Sequence, residues 1–144
     1  MTAKILYTAD VHTVGGREGA AKSTDGQLDV KLSTPGLGRP GTNPEQLFAA
    51  GWSACFEGAL GLVAKEFGIT LPAETAVDAK VDLHYGQEEG FFLSAQLDVT
   101  IPGVADDVAE RMIAIAHETC PYSKMTRSGI DARVVLRTGE AALA

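Results

Sequence analysis

Two cysteines, three histidines and one tryptophan are all that 144 residues hold of the side chains that most often carry redox, metal or proton chemistry. The cysteines, Cys55 and Cys120, are too far apart for a CxxC redox pair or a zinc ribbon. No third or fourth ligand stands at believable spacing near His117 and Cys120, so no metal site is expected. Cations are scarce too. Twelve Lys and Arg face nineteen Asp and Glu, a net charge of -7, and no basic patch interleaved with aromatics offsets it. That argues against nucleic acid as a partner. The Gly-rich stretch TPGLGRPGT lacks the Gly-Lys-Ser/Thr ending of a phosphate loop. The first residues, MTAKILYTADVH, lack the cationic and apolar layout of a leader, so a cytoplasmic location is expected. No membrane span is expected, because Glu45, Glu57, Lys65 and Glu66 interrupt the longest apolar stretch. There is no short-period repeat and no low-complexity tract.

The length suits one domain, 1-144, able to bury a core without a disulfide. In a reducing compartment the two cysteines are then better read as free, catalytic or redox-active than as a permanent staple.

The chain is organised around residues 43–67, NPEQLFAAGWSACFEGALGLVAKEF. Asn43 can cap a helix, Pro44 suits its first position, and Gln46 completes capping-box spacing. Gly68 stands where a left-handed stop would fall. Gly51 is a poor helix former and Ser53 a plausible cap, so the expectation is a break near Gly51 to Ser53 and a second helix from Cys55. A helix N-terminus there would favour the Cys55 thiolate. The competing reading is one continuous helix with Cys55 as an inert buried thiol.

Around this stretch, strands are expected at 5–12, 20–24 and 27–33, with Asp25-Gly26 turning the last two. Alternating apolar residues mark two more at 74–85 and 91–101. Val108, Met112 and Ile115 set a helix at 105–119, and Pro121 opens one short turn. A final strand is expected at 130–136, with a frayed tail at 138–144. The order is β-β-β-α-α-β-β-α-β, an α+β domain with antiparallel sheets. One small sheet covers one side of an apolar helix, so a second copy of the chain is expected to cover the rest, as an obligate homodimer.

Two further residues could serve a thiol. Arg17, in the loop GGREG, is either a solvated arginine or a guanidinium brought to a thiolate to lower its pKa. Glu45 is either a first-turn acid favoured by the helix dipole or the partner that holds Arg17 in a bidentate pair. Whether Cys55 and Cys120 meet, spacing alone leaves open; a bridge needs Cβ atoms about 3.5–4.5 Å apart. His12, His84 and His117 read as satisfied or exposed side chains.

The motifs NPEQLFAAGWSACF, GGREG upstream and HETCPYSKMTRSGID downstream resemble the organic hydroperoxide resistance proteins of the Ohr/OsmC superfamily, over about residues 7–136. LDVKLSTPG and CPYSKMTR resemble the Ohr branch more than the OsmC branch. Trp52 stands where the family often has tyrosine, which could alter the substrate mouth; Lys124-Met125 replaces smaller polar residues, and the loop before Gly41 is compact. The resemblance implies an OsmC-like fold on an intertwined homodimer, with antiparallel sheets around a central buried helix. It implies a thiol peroxidase acting on alkyl and fatty-acid hydroperoxides. Cys55 matches the peroxidatic cysteine, Cys120 the resolving cysteine that closes a disulfide with it, Arg17 the activating arginine and Glu45 the residue that orients it. Lipoylated proteins, or another dithiol, are the implied reductant, and no metal, haem or flavin takes part. The runner-up is an OsmC-type stress-induced protein that binds hydroperoxides or acyl chains, or senses through its thiol, without efficient turnover. A structural dimer with inert core cysteines ranks third.

Overall fold

The computed structural model describes residues 3–137. Strands β1 (Val11–Val14), β2 (Ala20–Ser23) and β3 (Asp29–Lys31) form an antiparallel meander, and β4 (Ala76–Gly86) pairs with β5 (Gly90–Thr100) as a long antiparallel hairpin. Helix α1 (Pro44–Glu66) lies between the two sheets in sequence; α2 (Asp106–Thr119) and α3 (Pro121–Ser128) follow the hairpin. The expected α+β class and antiparallel pairing hold.

Helix α1 starts and stops where its sequence says. The Asn43 side chain accepts from Gln46 N–H at 2.8 Å, Pro44 takes the first helical position, and Gly68 stops it at φ 69°. Only half of the capping box forms, because the Gln46 side-chain oxygen accepts from the Thr42 hydroxyl at 2.6 Å. The break expected at Gly51 to Ser53 is absent: α1 is continuous over 23 residues. Both misleading residues have another use. Ser53 Oγ donates back to the Ala49 carbonyl at 2.7 Å, so it satisfies itself inside the helix. Gly51 makes room, since a Cβ there would meet Tyr122 Oη at 3.0 Å and its ring at 3.3 Å.

By length and composition α1 could cross a membrane. In this fold it buries Trp52, Phe56, Leu60 and Val63 against the hairpin and α2, where Met112, Ala116 and Cys120 complete the core. Each such aliphatic or aromatic side chain contributes about 1.5–3 kcal/mol when fully buried. Along the hairpin Val77, Ala79 and Val81 alternate with Asp78, Lys80 and Asp82, which places the apolar set towards α1. The cover runs out at the far end, where Leu83, Phe91 and Leu93 are exposed.

Three expected elements change. The first strand begins at Val11 and not at Ile5, and Ile5, Leu6 and Tyr7 are exposed without a partner strand. Residues 130–136, expected as the last strand, form none; Ile130, Val134, Val135 and Leu136 are exposed. A strand needs an edge to pair with, and these two segments find none among the described residues. The short turn at Pro121 is an eight-residue helix. The tail expected at 138–144 lies outside the described residues.

The link between β1 and β2 positions Arg17. A 3-10 turn, Gly16–Glu18, carries it, and the chain recrosses so closely that a Cβ on Gly19 would sit 1.8 Å from the Val14 carbonyl oxygen. That atom is backbone and cannot step aside. Gly19→Ala should therefore destabilise the protein by about 1–3 kcal/mol or more. A lower denaturant midpoint with unchanged slope is the expected result; a wild-type midpoint would mean that this crossing relaxes freely.

Candidate active site

The fold brings together two thiols 65 positions apart. Cys55 Sγ and Cys120 Sγ lie 3.3 Å from each other, both free. That is contact and not a bond, which would need about 2.05 Å. Cys55 is half-buried on the middle of α1; Cys120 is fully enclosed at the junction of α2 and α3. Cys55 does not head a helix, as the expected break would have made it. The helix N-terminus beside it belongs to α3, whose Tyr122 backbone N–H points at the Cys55 sulfur and favours the thiolate. Burial outweighs that, and with the neighbouring Cys120 it pushes the Cys55 thiol above its ordinary value.

Arg17 and Glu45 also meet. Arg17 Nη1 and Nη2 donate to Glu45 Oε1 and Oε2 at 2.8 and 2.7 Å, a fork-to-fork pair. The hydrogen bonds from Arg17 hold the Glu45 carboxyl below the usual carboxylate range, and Glu45 raises the guanidinium in turn. They line a cleft of about 720 Å³ together with polar Thr34, Asn43 and Gln46 and apolar side chains such as Ala49, Val81, Leu83 and Phe91. Cys55 is not among the residues lining it. Ten residues of continuous helix separate Glu45 from Cys55, about 15 Å at 1.5 Å per residue. The guanidinium of Arg17 is thus bonded to Glu45, well removed along α1 from the Cys55 of its own chain.

Three features went unnoticed in the sequence. Glu18, next to Arg17, accepts from the Thr34 N–H at 2.7 Å and from the Thr34 hydroxyl, and pairs with Arg39 at 2.9 Å. It ties the Arg17 turn to the Gly-rich loop. The second is the Tyr122 N–H. The third is a buried hydrogen bond, from Trp52 Nε1 to Ser123 Oγ at 3.1 Å. Trp52, expected to affect a substrate mouth, thus faces α3 and stacks on Phe48 with ring centroids 5.5 Å apart. The only hint was spacing: Trp52 lies three before Cys55 and Ser123 three after Cys120. The histidines stay apart from the thiols' contacts. His84 stacks on Phe92 and bonds Ser94 Oγ at 2.8 Å, and His12 is exposed on β1.

The chain as a whole is similar to known proteins. A family model described as OsmC-like protein matches residues 36–135. An organic hydroperoxide resistance protein of Xanthomonas axonopodis pv. citri is 46% identical over 138 residues, covering 92% of this chain and 96% of that one. The crystal structure of the organic hydroperoxide resistance protein OhrB of Bacillus subtilis superposes with a TM-score of 0.80 at 42% identity, covering 88% of this chain and 96% of that one. That of an organic hydroperoxide resistance protein from Elizabethkingia anophelis gives 0.79 at 45% identity, over 88% and 92%.

The electrostatics predict two titrations of opposite sign. A raised thiol keeps its proton to higher pH, so alkylation of Cys55 by iodoacetamide in Arg17→Ala should have its midpoint above that of an exposed cysteine, about 8.5. A midpoint at or below that value would show that burial does not govern the thiol. A depressed carboxyl behaves the other way. The Arg17–Glu45 pair should be complete above the ordinary carboxylate pKa and dissolve only as pH falls through the lower folded value. The carboxyl carbon shift of Glu45, followed by NMR, reads that directly.

Proposed function

The chain belongs to the OsmC-like family, in its organic hydroperoxide resistance branch, and on that premise we propose that it is a cysteine-based peroxidase that reduces alkyl and fatty-acid hydroperoxides to alcohols. The observation that carries this is the 3.3 Å contact between Cys55 and Cys120. Cys55 thiolate attacks the distal peroxide oxygen. The O–O bond breaks, the alkoxide leaves and takes up a proton, and Cys55 becomes a sulfenic acid. The Cys120 thiol attacks that sulfur, forming the Cys55–Cys120 disulfide and releasing water. A dithiol, such as a lipoylated protein, reopens the bridge by exchange and leaves as its own disulfide. A cleft that combines an apolar wall with a charged pair suits a greasy chain with a polar end, whereas hydrogen peroxide has no apolar group to bury.

The raised Cys55 thiol needs a cation, and the Arg17 of its own chain is occupied about 15 Å along α1. The working unit is therefore a homodimer in which Arg17, oriented by Glu45, acts on the Cys55 of the partner subunit. Its charge lowers that thiol's pKa and steadies the departing alkoxide. The exposed apolar segments at both ends of the described chain, the bare end of the hairpin and exposed Leu62 on α1 supply the surface for such an assembly. It is the cytoplasmic enzyme of a stress response. The second reading, a hydroperoxide- or acyl-binding protein or thiol sensor without efficient turnover, draws support from that raised thiol. Sustained turnover with a dithiol separates the two.

Reduced protein mixed in stopped flow with tert-butyl hydroperoxide should lose both thiols of each chain, and do so faster than with hydrogen peroxide. Cys120→Ser should keep the first oxidation and stop at sulfenic acid; Cys55→Ser should consume no peroxide. Loss of no thiols in the wild type would overturn the enzyme reading. The shared site has its own test. Arg17→Ala and Cys55→Ser chains, each inactive alone, are co-expressed. Random pairing should restore roughly a quarter of wild-type activity, because each mixed dimer holds one intact site. No recovery would place Arg17 and Cys55 in the same subunit.

A further inference from the structure

Cys120 is a junction residue, with α2 ending on it and α3 beginning after it, so its distance from Cys55 depends on how α3 lies against α1. Four α1 residues face α3: Phe48, whose ring lies 6.2 Å from that of Tyr122; Gly51, which leaves space for the same ring; Trp52; and Cys55. Their spacing, i, i+3, i+4, i+7, is one helical stripe. Within it the pairs Trp52–Ser123 and Cys55–Cys120 form neighbouring rungs, ascending on α1 and descending on the other side. The first rung is a 3.1 Å hydrogen bond between a buried indole and a fully enclosed hydroxyl. Among the described residues it is the only hydrogen bond between a side chain of α1 and a side chain of α3. The indole N–H is a donor and nothing else.

Resting on the peroxidase reading above, we propose that Trp52 and Ser123 are positioning residues: their hydrogen bond pins the register of α3 on α1, so that the Cys120 sulfur at the head of α3 reaches the Cys55 sulfur. Two steps depend on that register. In closure, Cys120 sulfur displaces hydroxide from the Cys55 sulfenic acid; an S–S bond forms, an S–O bond breaks, and the Cys120 proton leaves in the water. The sulfurs must close from 3.3 Å to about 2.05 Å, a movement already largely made when α3 is held in place. The thiolate that begins the cycle keeps its one backbone donor only while Tyr122 stays where it is. Displacing reacting groups by about 1 Å can cost as much as 10²-fold in rate.

Trp52→Phe keeps the stack on Phe48 and deletes the N–H; Ser123→Ala deletes one oxygen; Ser123→Thr keeps the hydroxyl. Each full-length variant is equilibrated in a buffer of reduced and oxidised dithiothreitol. The two deletions should shift the Cys55–Cys120 equilibrium towards the dithiol by roughly tenfold or more. Ser123→Thr should stay near wild type, and the Trp52→Phe/Ser123→Ala double variant should be no worse than either single, because both act through one bond. In a Cys120→Ser background, ultraviolet thiolate absorbance should show the Cys55 midpoint rising in both deletions. Unchanged equilibria and midpoints, or losses that add in the double variant, overturn the pin. Should Trp52→Phe fail to fold, judged by circular dichroism, the comparison of Ser123→Ala with Ser123→Thr decides alone. Neither readout uses a peroxide, so a wild type that forms the disulfide but consumes no tert-butyl hydroperoxide overturns the peroxidase reading and not the pin.

Discussion

Everything else in this fold depends on covering helix α1. Its apolar residues wrap well beyond one face, and one chain supplies the hairpin on one side and α2 and α3 on another. What is left open is as informative as what is covered. Leu62, the far end of the hairpin and both apolar end segments are exposed, a quantity of apolar surface that isolated soluble chains seldom leave in water. The constraint also sets the geometry of the chemistry. A straight helix is a ruler, and side chains on its first turn and its middle cannot share a ligand. The Arg17–Glu45 pair and the two thiols are therefore two stations on one rod, and in the proposed dimer a second rod laid alongside brings them within reach.

The two stations are tuned in opposite directions. Glu45 and Arg17 hold each other ionised, with Arg17 side chain still 44% exposed, so the guanidinium keeps donors for a further partner. Cys55 is held towards its neutral form by burial. Glu18 contributes indirectly by tying the turn that carries Arg17 to Thr34 and Arg39, which limits where that arginine can go.

Much of this was legible in the sequence, because it is local. The cap at Asn43, the stop at Gly68, the alternation in β4 and β5 and the helical spacing of α2 all follow from residue types within a few positions of one another. The errors came where a residue answers to a distant neighbour. Gly51 reads as a helix breaker, yet its missing side chain accommodates Tyr122. Ser53 is the local exception: it reads as a cap and instead bonds the Ala49 carbonyl within the helix. Residues 130–136 have strand composition but no edge among the described residues to pair with. In the site, Cys55, Cys120, Arg17 and Glu45 stood out by type and motif. Trp52 and Ser123 did not, since a tryptophan in an apolar helix and a serine after a proline look like core and surface until the helices are docked.

The closeness of the two sulfurs bears on damage as well as on catalysis. A sulfenic acid faces a branch: a neighbouring thiol turns it into a recoverable bridge, or a second oxidant molecule carries it to sulfinic acid, from which ordinary reductants do not return it. The first branch is intramolecular and independent of oxidant concentration; the second grows with it. With the second sulfur at 3.3 Å, fully enclosed and already in contact, the first branch needs no search and no unfolding. Such a protein tolerates bursts of its own oxidising substrate, and its working lifetime is set less by how fast it is oxidised than by how soon it is reduced again.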